Sequence, residues 1–267
     1  MPLAFTRAVS PKLALCELTH LARVPIDIAL AVAQHGAYER ALAAAGLTVR
    51  RLAALEDAPD AVFVEDTAVV LGGHAVIARP GAPSRRGETA STAEALADHL
   101  EVHALEAGHL DGGDVILIER TLYVGASGRT DAAGVEALRA LAARLGYAVV
   151  AVEMRDCLHL KTCATYAGRD AAGVPLVIVD PRRVDPAHFV GVEALVVGPE
   201  DASSANTVRA ADILIIAAGH PRPRDRLAAR GFALVELDTG EFRKAEAALS
   251  CLSLIAPAAA SAVTRAN

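Results

Sequence analysis

The chain has 267 residues, 53% of them hydrophobic and 22% charged, a balance that excludes a disordered or fibrous protein and supplies a large core. Its 26 basic and 32 acidic residues leave a formal charge of −6, the wrong sign for gripping a nucleic-acid backbone or an anionic membrane. No apolar run reaches membrane-spanning length and the apolar stretch at 13–16 is too short for a secretory signal, so a cytoplasmic location is expected.

In chain order, residues 3–9 read as a strand, 26–45 as a helix with apolar residues at helical spacing, and 49–52 as a second strand. Residues 67–71 and 75–78 form a hairpin about Gly72-Gly73, and 89–100 a helix. The order then recurs. Residues 115–118 and 122–124 make a hairpin, 132–145 a helix capped by Thr130 or Asp131, and 148–152 a closing strand. Residues 177–179 and 213–216 are second strands of two more units, with 222–230 as a helix and 234–237 as a closing strand. A lone strand over 251–255 ends a single domain of residues 1–255, and the Ala- and Ser-rich stretch 256–267 reads as a tail.

The polar residue that opens each hairpin recurs at Asp66, Asp114, Thr162, Asn206 and Cys251, in steps of 48, 48, 44 and 45 residues. A constant period of this size marks a repeat architecture. The fifth unit is incomplete, and the elements at the N-terminus repair it if the last strand pairs with the first and leaves no open sheet edge. The expected fold is therefore α/β: a propeller of five ββαβ units with pseudo-fivefold symmetry. A doubly wound sheet would instead place single strands between helices.

In such a ring, equivalent positions of the units face one another at the axis. Those positions carry Glu65 and Asp66 in FVED, Asp111 and Asp114 in LDGGD, His159 in LHLKT and Cys251 in SCLSL. A thiol, an imidazole and several carboxylates together make a nucleophile, a proton carrier and a holder for a cation. Singly each has a plainer reading. A cysteine between leucines in a strand is usually a small core hydrophobe, a lone histidine a hydrogen-bonded core residue, and Asp-Gly-Gly-Asp a turn. Their coincidence at equivalent positions raises them. The four cysteines, Cys16, Cys157, Cys163 and Cys251, are expected as reduced thiols. Cys157, His159 and Cys163 are too spread along an extended segment to close on one zinc ion, and no CxxC, HExxH, phosphate-loop or dinucleotide signature is present, so neither metal nor cofactor is expected.

PDAVFVEDTAVV at 59–70, ARPGAPSRRGET at 78–89, LDGGDV at 110–115, GRTDAAG at 128–134, LHLKT at 158–162 and SCLSL at 250–254 are specific blocks. In order and spacing they resemble the dimethylarginine dimethylaminohydrolases of the pentein (guanidine-modifying) superfamily, almost end to end. The five-unit propeller belongs to that superfamily too. The resemblance implies hydrolysis of Nω-methylated arginine to citrulline and a methylamine through a covalent thiouronium on cysteine, without a cofactor. It implies Cys251 as nucleophile, His159 as proton carrier and, most simply, Asp111 as the acid that orients His159. Glu65 and Asp66 would hold the guanidinium, with Phe63 packed on it. Leu18 (backbone), Asp60, Arg85, Arg129 and Ala245 would contact the rest of the substrate, and 18–27 would be a lid. The stretch 244–248 departs from the family, which commonly has an acid followed by glycine there, and Ala247 takes a positive φ less cheaply than glycine.

Paired carboxylates align a guanidinium fork while leaving its carbon exposed to a thiolate, whose formation the cation itself favours. The partner expected is a small guanidine, with no nucleic acid or membrane and with a homodimer left open. A deiminase or dihydrolase acting on another guanidine, such as free arginine or agmatine, is the alternative activity, and Arg85 and Arg129, which suit a substrate with a carboxylate, argue against agmatine. A non-catalytic ring-shaped binding module is opposed by Cys251, His159 and the FVED acids.

Overall fold

In a computed structural model that describes residues 1–258, β1 (Leu3–Arg7), α1 (Ile28–Ala44) and β2 (Thr48–Leu52) open the chain. Asp27 caps α1 by accepting from the Leu30 amide at 3.0 Å, and the helix buries Ala31, Gln34, His35, Tyr38, Glu39 and Leu42 along one stripe. The next unit is β3 (Ala68–Leu71), β4 (His74–Ile77), α2 (Thr89–Ala97) and β5 (Glu101–Ala104). It is followed by β6 (Val115–Ile118), β7 (Thr121–Ala126), α3 (Ala132–Arg144) and β8 (Ala148–Glu153). Of the two expected caps for α3, Asp131 serves, accepting from the Gly134 amide at 2.7 Å.

A single helical turn, α4 (Leu160–Cys163), leads into β9 (Ala164–Arg169), β10 (Pro175–Val179) and β11 (Glu193–Val196). This unit departs from the expected ββαβ pattern, because a 3-10 turn over Pro186–His188 replaces its helix. The connection is rich in Pro and Asp, whose turn-forming side chains compete with helix: Asp185 accepts from the Ala187 amide and Asp180 from that of Arg182. Then come β12 (Thr207–Ala210), β13 (Ile213–Ala217), α5 (Pro221–Ala229), β14 (Ala233–Leu237), the short α6 (Gly240–Arg243) and β15 (Leu254–Ala256).

The strands form five three-stranded sheets, each with one antiparallel and one parallel pair. β15 pairs antiparallel with β1, Ala256 opposite Leu3, so the two ends of the chain complete one sheet and close the ring. Ala256 therefore belongs to a strand rather than to the expected tail, of which residues 259–267 lie outside the described residues.

Apolar side chains fill the spaces between successive sheets. Along β10, Val177 and Val179 pack with Ile116 and Tyr123 of the preceding sheet, while Leu176 and Ile178 pack with Leu214 and Ile216 of the following one. Burial of both faces explains why this strand is a continuous apolar run instead of an alternating one. No helix among the described residues is long and apolar enough to cross a membrane.

The polar residues that define the repeat do not open strands directly. Asp66, Asp114, Thr162 and Cys251 sit on one-turn helices just before β3, β6, β9 and β15, and Asn206 immediately follows such a turn. There they tie each unit to the next. Asp66 Oδ1 accepts from the Gly113 amide at 3.0 Å, Asp114 Oδ1 from that of Leu160 at 2.9 Å, and Asn206 Oδ1 from that of Ser250 at 2.9 Å. Thr165 takes this duty in its unit, accepting from the Thr207 amide and donating to the Ala205 carbonyl. Ser250 Oγ donates to Glu65 at 2.8 Å and completes the circuit.

Asn206 also donates to the Lys161 carbonyl and to Ser250 Oγ, both at 2.8 Å, and is fully buried. Asn206→Ala orphans several of these groups, so thermal denaturation should show a loss of about 2–4 kcal/mol, or roughly 5–15 °C in Tm. An unchanged Tm would show that the axial circuit contributes nothing to stability.

Candidate active site

Glycine makes room for the centre of the site. A Cβ on Gly112 would lie 2.1 Å from the Glu65 carbonyl oxygen, and one on Gly113 would lie 2.6 Å from Asp66 Oδ1 and 2.9 Å from His159 Nδ1. The LDGGD turn is therefore obliged to carry two glycines where it crosses the FVED turn. Asp111, with no exposed surface, accepts from the Gly81 amide through Oδ1 at 2.9 Å and from His159 Nε2 through Oδ2 at 3.0 Å. His159 thus has one nitrogen fixed, and its Nδ1 faces Asp66 Oδ1 at 3.7 Å.

Burial alone would push the His159 pKa down, but Asp66, Asp114 and Asp111 raise it to about 9. His159 also holds Asp66 below the usual carboxylate range, against burial and together with Arg85. Burial drives Asp114 up to about 6 despite the His159 charge and hydrogen bonds from Ser127, Thr130 and the Leu160 amide. Glu65 is likewise raised by burial, in part offset by Lys161, whose Nζ lies 2.7 Å away. Lys161 was not singled out from the sequence, although the LHLKT block contains it.

Cys251 lies on the helical turn Ser250–Leu252, not in the strand expected for it, because the backbone turns here before extending into β15. It is partly exposed, and burial of its surroundings, then the charges of Glu65 and Asp66, push its thiol well above its ordinary value. Cys16 and Cys163 are buried and free, and Cys157 is free and half-buried. The segment is a loop and a helical turn rather than extended, and it sets Cys157 beside Cys163, but the His159 nitrogens face Asp111 and Asp66, so the donors of the three residues do not converge on a point.

Phe63 is buried edge-on to Phe242 and caps the turn that carries Glu65 and Asp66. Arg85 is only 4% exposed, and its guanidinium is already engaged by Asp66, Glu88 and the carbonyls of Asp60 and Phe63. Little of it remains for a ligand: one Nη1 hydrogen. Arg129 is more open and pairs with Glu17 at 3.2 Å. Asp60 accepts from the Glu17 amide at 3.1 Å, so Asp60, Glu17 and Arg129 meet beside half-buried Leu18.

The loop after Cys16 is also held from its other side. Glu246 accepts from the amides of Thr19, His20 and Leu21, at 2.9 Å for Thr19. Glu246, not Ala247, is the residue with positive φ, at 56°. It terminates α6 where glycine is usual, with the Ala247 amide reaching back to the Phe242 carbonyl at 3.0 Å. Beside it, Ala245 is buried. Neither Glu17 nor Glu246 was assigned from the sequence, because both act through backbone amides or a distant arginine.

A five-sheet ring with thiol, imidazole and acids on its axial turns defines the pentein class, the guanidine-modifying α/β propellers. The comparisons narrow this. A family model for N,N dimethylarginine dimethylhydrolase, eukaryotic, matches residues 22–182. The N(G),N(G)-dimethylarginine dimethylaminohydrolase of Streptomyces coelicolor is 41% identical over 253 residues, covering 94% of this chain and 95% of that one. Its counterpart from Pseudomonas aeruginosa is 34% identical over 234 residues, 85% and 89% of the two chains. A structure of the Pseudomonas aeruginosa enzyme, a cysteine-to-serine mutant complexed with citrulline, superposes with TM-score 0.87 at 31% identity, over 94% of this chain and 98% of that one. The chain belongs to the dimethylarginine dimethylaminohydrolase family. At 20% identity and TM-score 0.80, the N-terminal domain of a cyanobacterial arginine dihydrolase shares the fold, over 96% of this chain and 98% of that domain.

The His159 pKa sets a titration that can be read directly. Because it is raised from 6.5 to about 9, the protonated ring stabilises the fold fully below pH 6.5, and that contribution is lost as pH rises through 9. The His159 ring proton followed by NMR should titrate near pH 9 in the free protein, and in Asp111→Asn the midpoint should fall. A midpoint below 7 in the unaltered protein would refute this electrostatic picture.

Proposed function

We propose that the protein hydrolyses Nω-methylated arginine to citrulline and a methylamine, with Cys251 as nucleophile and His159 as proton carrier. The observation that carries this reading is the charge of the site. Around His159 and Cys251 the buried acids Glu65, Asp66, Asp111 and Asp114 outnumber the cations Lys161 and protonated His159, and Arg85, which pairs with Asp66, is shared with Glu88. That surplus of negative charge attracts a guanidinium, and a guanidinium beside Cys251 favours thiolate over thiol, the thiol proton passing to solvent because His159 is already protonated. Glu65 and Asp66 orient the fork. The thiolate attacks the guanidinium carbon, and the tetrahedral adduct expels dimethylamine as His159 Nδ1 gives up its proton to the leaving nitrogen. The neutral imidazole then takes a proton from water as it adds to the thiouronium carbon. Collapse of the second adduct breaks the C–S bond, the electron pair going to sulfur and the adduct's hydroxyl proton following it, which yields citrulline and the free thiol beside the His159 that water has reprotonated.

Asp111 keeps His159 Nδ1 aimed at the substrate. At the other end, the substrate carboxylate takes the place of the Glu17 carboxylate on Arg129, its amino group meets Asp60, and the backbones of Leu18 and Ala245 border it. Arg85 adds at most one hydrogen bond and chiefly fixes Asp66, while Phe63 supports the turn beneath the guanidinium. A small guanidine is the one partner this chemistry needs, and a cytoplasmic location is part of the same reading.

Citrulline release should be measured side by side from asymmetric dimethylarginine, arginine and agmatine. Dimethylarginine should be turned over best, and Cys251→Ser should abolish turnover with an unchanged circular dichroism spectrum. Preference for arginine would move the assignment to a dihydrolase, and retained activity in Cys251→Ser would remove the nucleophile. Arg129→Ala should lower kcat/KM for dimethylarginine by about ten- to a hundredfold, as expected for one charge-assisted pair, yet leave a decarboxylated analogue unaffected. Equal losses on both would place the carboxylate elsewhere.

A further inference from the structure

We propose that His74, Glu101 and His103 bind a divalent transition-metal ion of the zinc type on the β3–β4–β5 sheet, away from the axial site. His74 and Glu101 are direct partners in the parallel β4–β5 register, and His103, two residues along β5, shares their face of the sheet. His74 begins β4 just after the turn that ends β3, whereas Asp66 lies before the start of β3. At about 3.3 Å per strand residue, that separates the cluster from the axial acids by on the order of 15 Å.

The donor atoms lie close enough together to share one ion, within 4.8 Å of one another. His74 Nδ1 lies 3.2 Å from His103 Nε2, His74 Nδ1 lies 3.4 Å from one Glu101 oxygen, and His103 Nε2 lies 3.6 Å from the other. With zinc bonds of about 2.0–2.1 Å, the face of a ligand tetrahedron has edges of about 3.3 Å, while an octahedral face has edges near 3.0 Å. The separation of the two nitrogens, 3.2 Å, and their distances of 3.4 and 3.6 Å to the two carboxylate oxygens are on that scale, so a small adjustment of Glu101 brings one oxygen onto a shared ion. A hydrogen bond between the two rings explains the first of these distances, but not why the same two nitrogens also face one carboxylate.

Two imidazoles and a carboxylate are the donor set that suits zinc over calcium or magnesium. The side chains of His74 and His103 are 31% and 18% exposed and that of Glu101 67%, so an ion can enter and a water can fill the fourth position. β5 is a four-residue edge strand paired only with β4. An ion held by both strands would staple that edge, adding to stability without touching the reaction.

The probe is Co²⁺, which reports tetrahedral geometry by its visible absorption and thiolate ligation by a separate charge-transfer band, with Zn²⁺ as competitor. Metal-free full-length protein should take up one equivalent with the tetrahedral spectrum and no thiolate band, and Cys251→Ser should bind equally well. His103→Gln should weaken binding by about a hundredfold or more, and the exposed Glu101→Gln provides a second variant with little risk to folding. Zn²⁺ at about a hundredfold excess over its dissociation constant should raise Tm by roughly 5–10 °C, in the unaltered protein and not in His103→Gln. No uptake, binding that survives both substitutions, or a signal lost in Cys251→Ser would overturn the proposal.

Discussion

Five units must meet at one axis, and the hydrogen bonds that join their helical turns are the constraint on which the rest of the protein depends. Four of the clamps pass from a side chain of one unit to a backbone amide of the next and the fifth from Ser250 to the Glu65 carboxylate, so closing the ring and building the site are a single event. Buried amides have no water to turn to, which is why the clamping residues are Asp, Asn, Thr and Ser rather than apolar groups. In the fifth unit the repeat position is Cys251, and the adjacent Ser250 carries the clamp. The sulfur is released from structural duty by its neighbour.

The same clamps set the electrostatics. Asp66 and Asp114 accept backbone amides and at the same time surround His159, so residues required for closure also hold the imidazole protonated. Arg85 and Lys161 limit the repulsion among the acids without cancelling it. A buried excess of carboxylates is costly for the empty protein, and a cationic ligand relieves that cost. In the proposed reaction, stability forgone in the free chain becomes affinity for the guanidinium.

Glu246 shows a local conflict resolved at longer range. A non-glycine residue with positive φ costs of order 1 kcal/mol or more, and here the carboxylate recovers it by accepting three consecutive amides of the loop that follows Cys16. Glu17 holds the same loop from its other end through Arg129. The loop is therefore bound by two carboxylates, one of which occupies the place proposed for the substrate's own.

The ring was legible in the sequence because its period is written in residue type: short strands flanked by glycine turns, and a polar residue every 44 to 48 positions. The block motifs likewise carried the family, and they drew attention to Cys251, His159, Asp111, Glu65 and Asp66, which the structure places on or beside neighbouring turns of the ring. Local pattern could not tell that the repeat positions lie on helical turns, since one turn of helix has no periodicity to detect, nor that the third unit lacks a helix. Only the tertiary structure decided the long-range pairings: Lys161 with Glu65, Arg85 with Asp66 and Glu88, Glu246 with the loop at 19–21, and His74 with His103 across a parallel pair. The physical reason is that side-chain type and spacing determine which element forms. The partner of a buried charge depends on which elements the closed ring brings within about 4 Å, a distance that sequence separation does not encode.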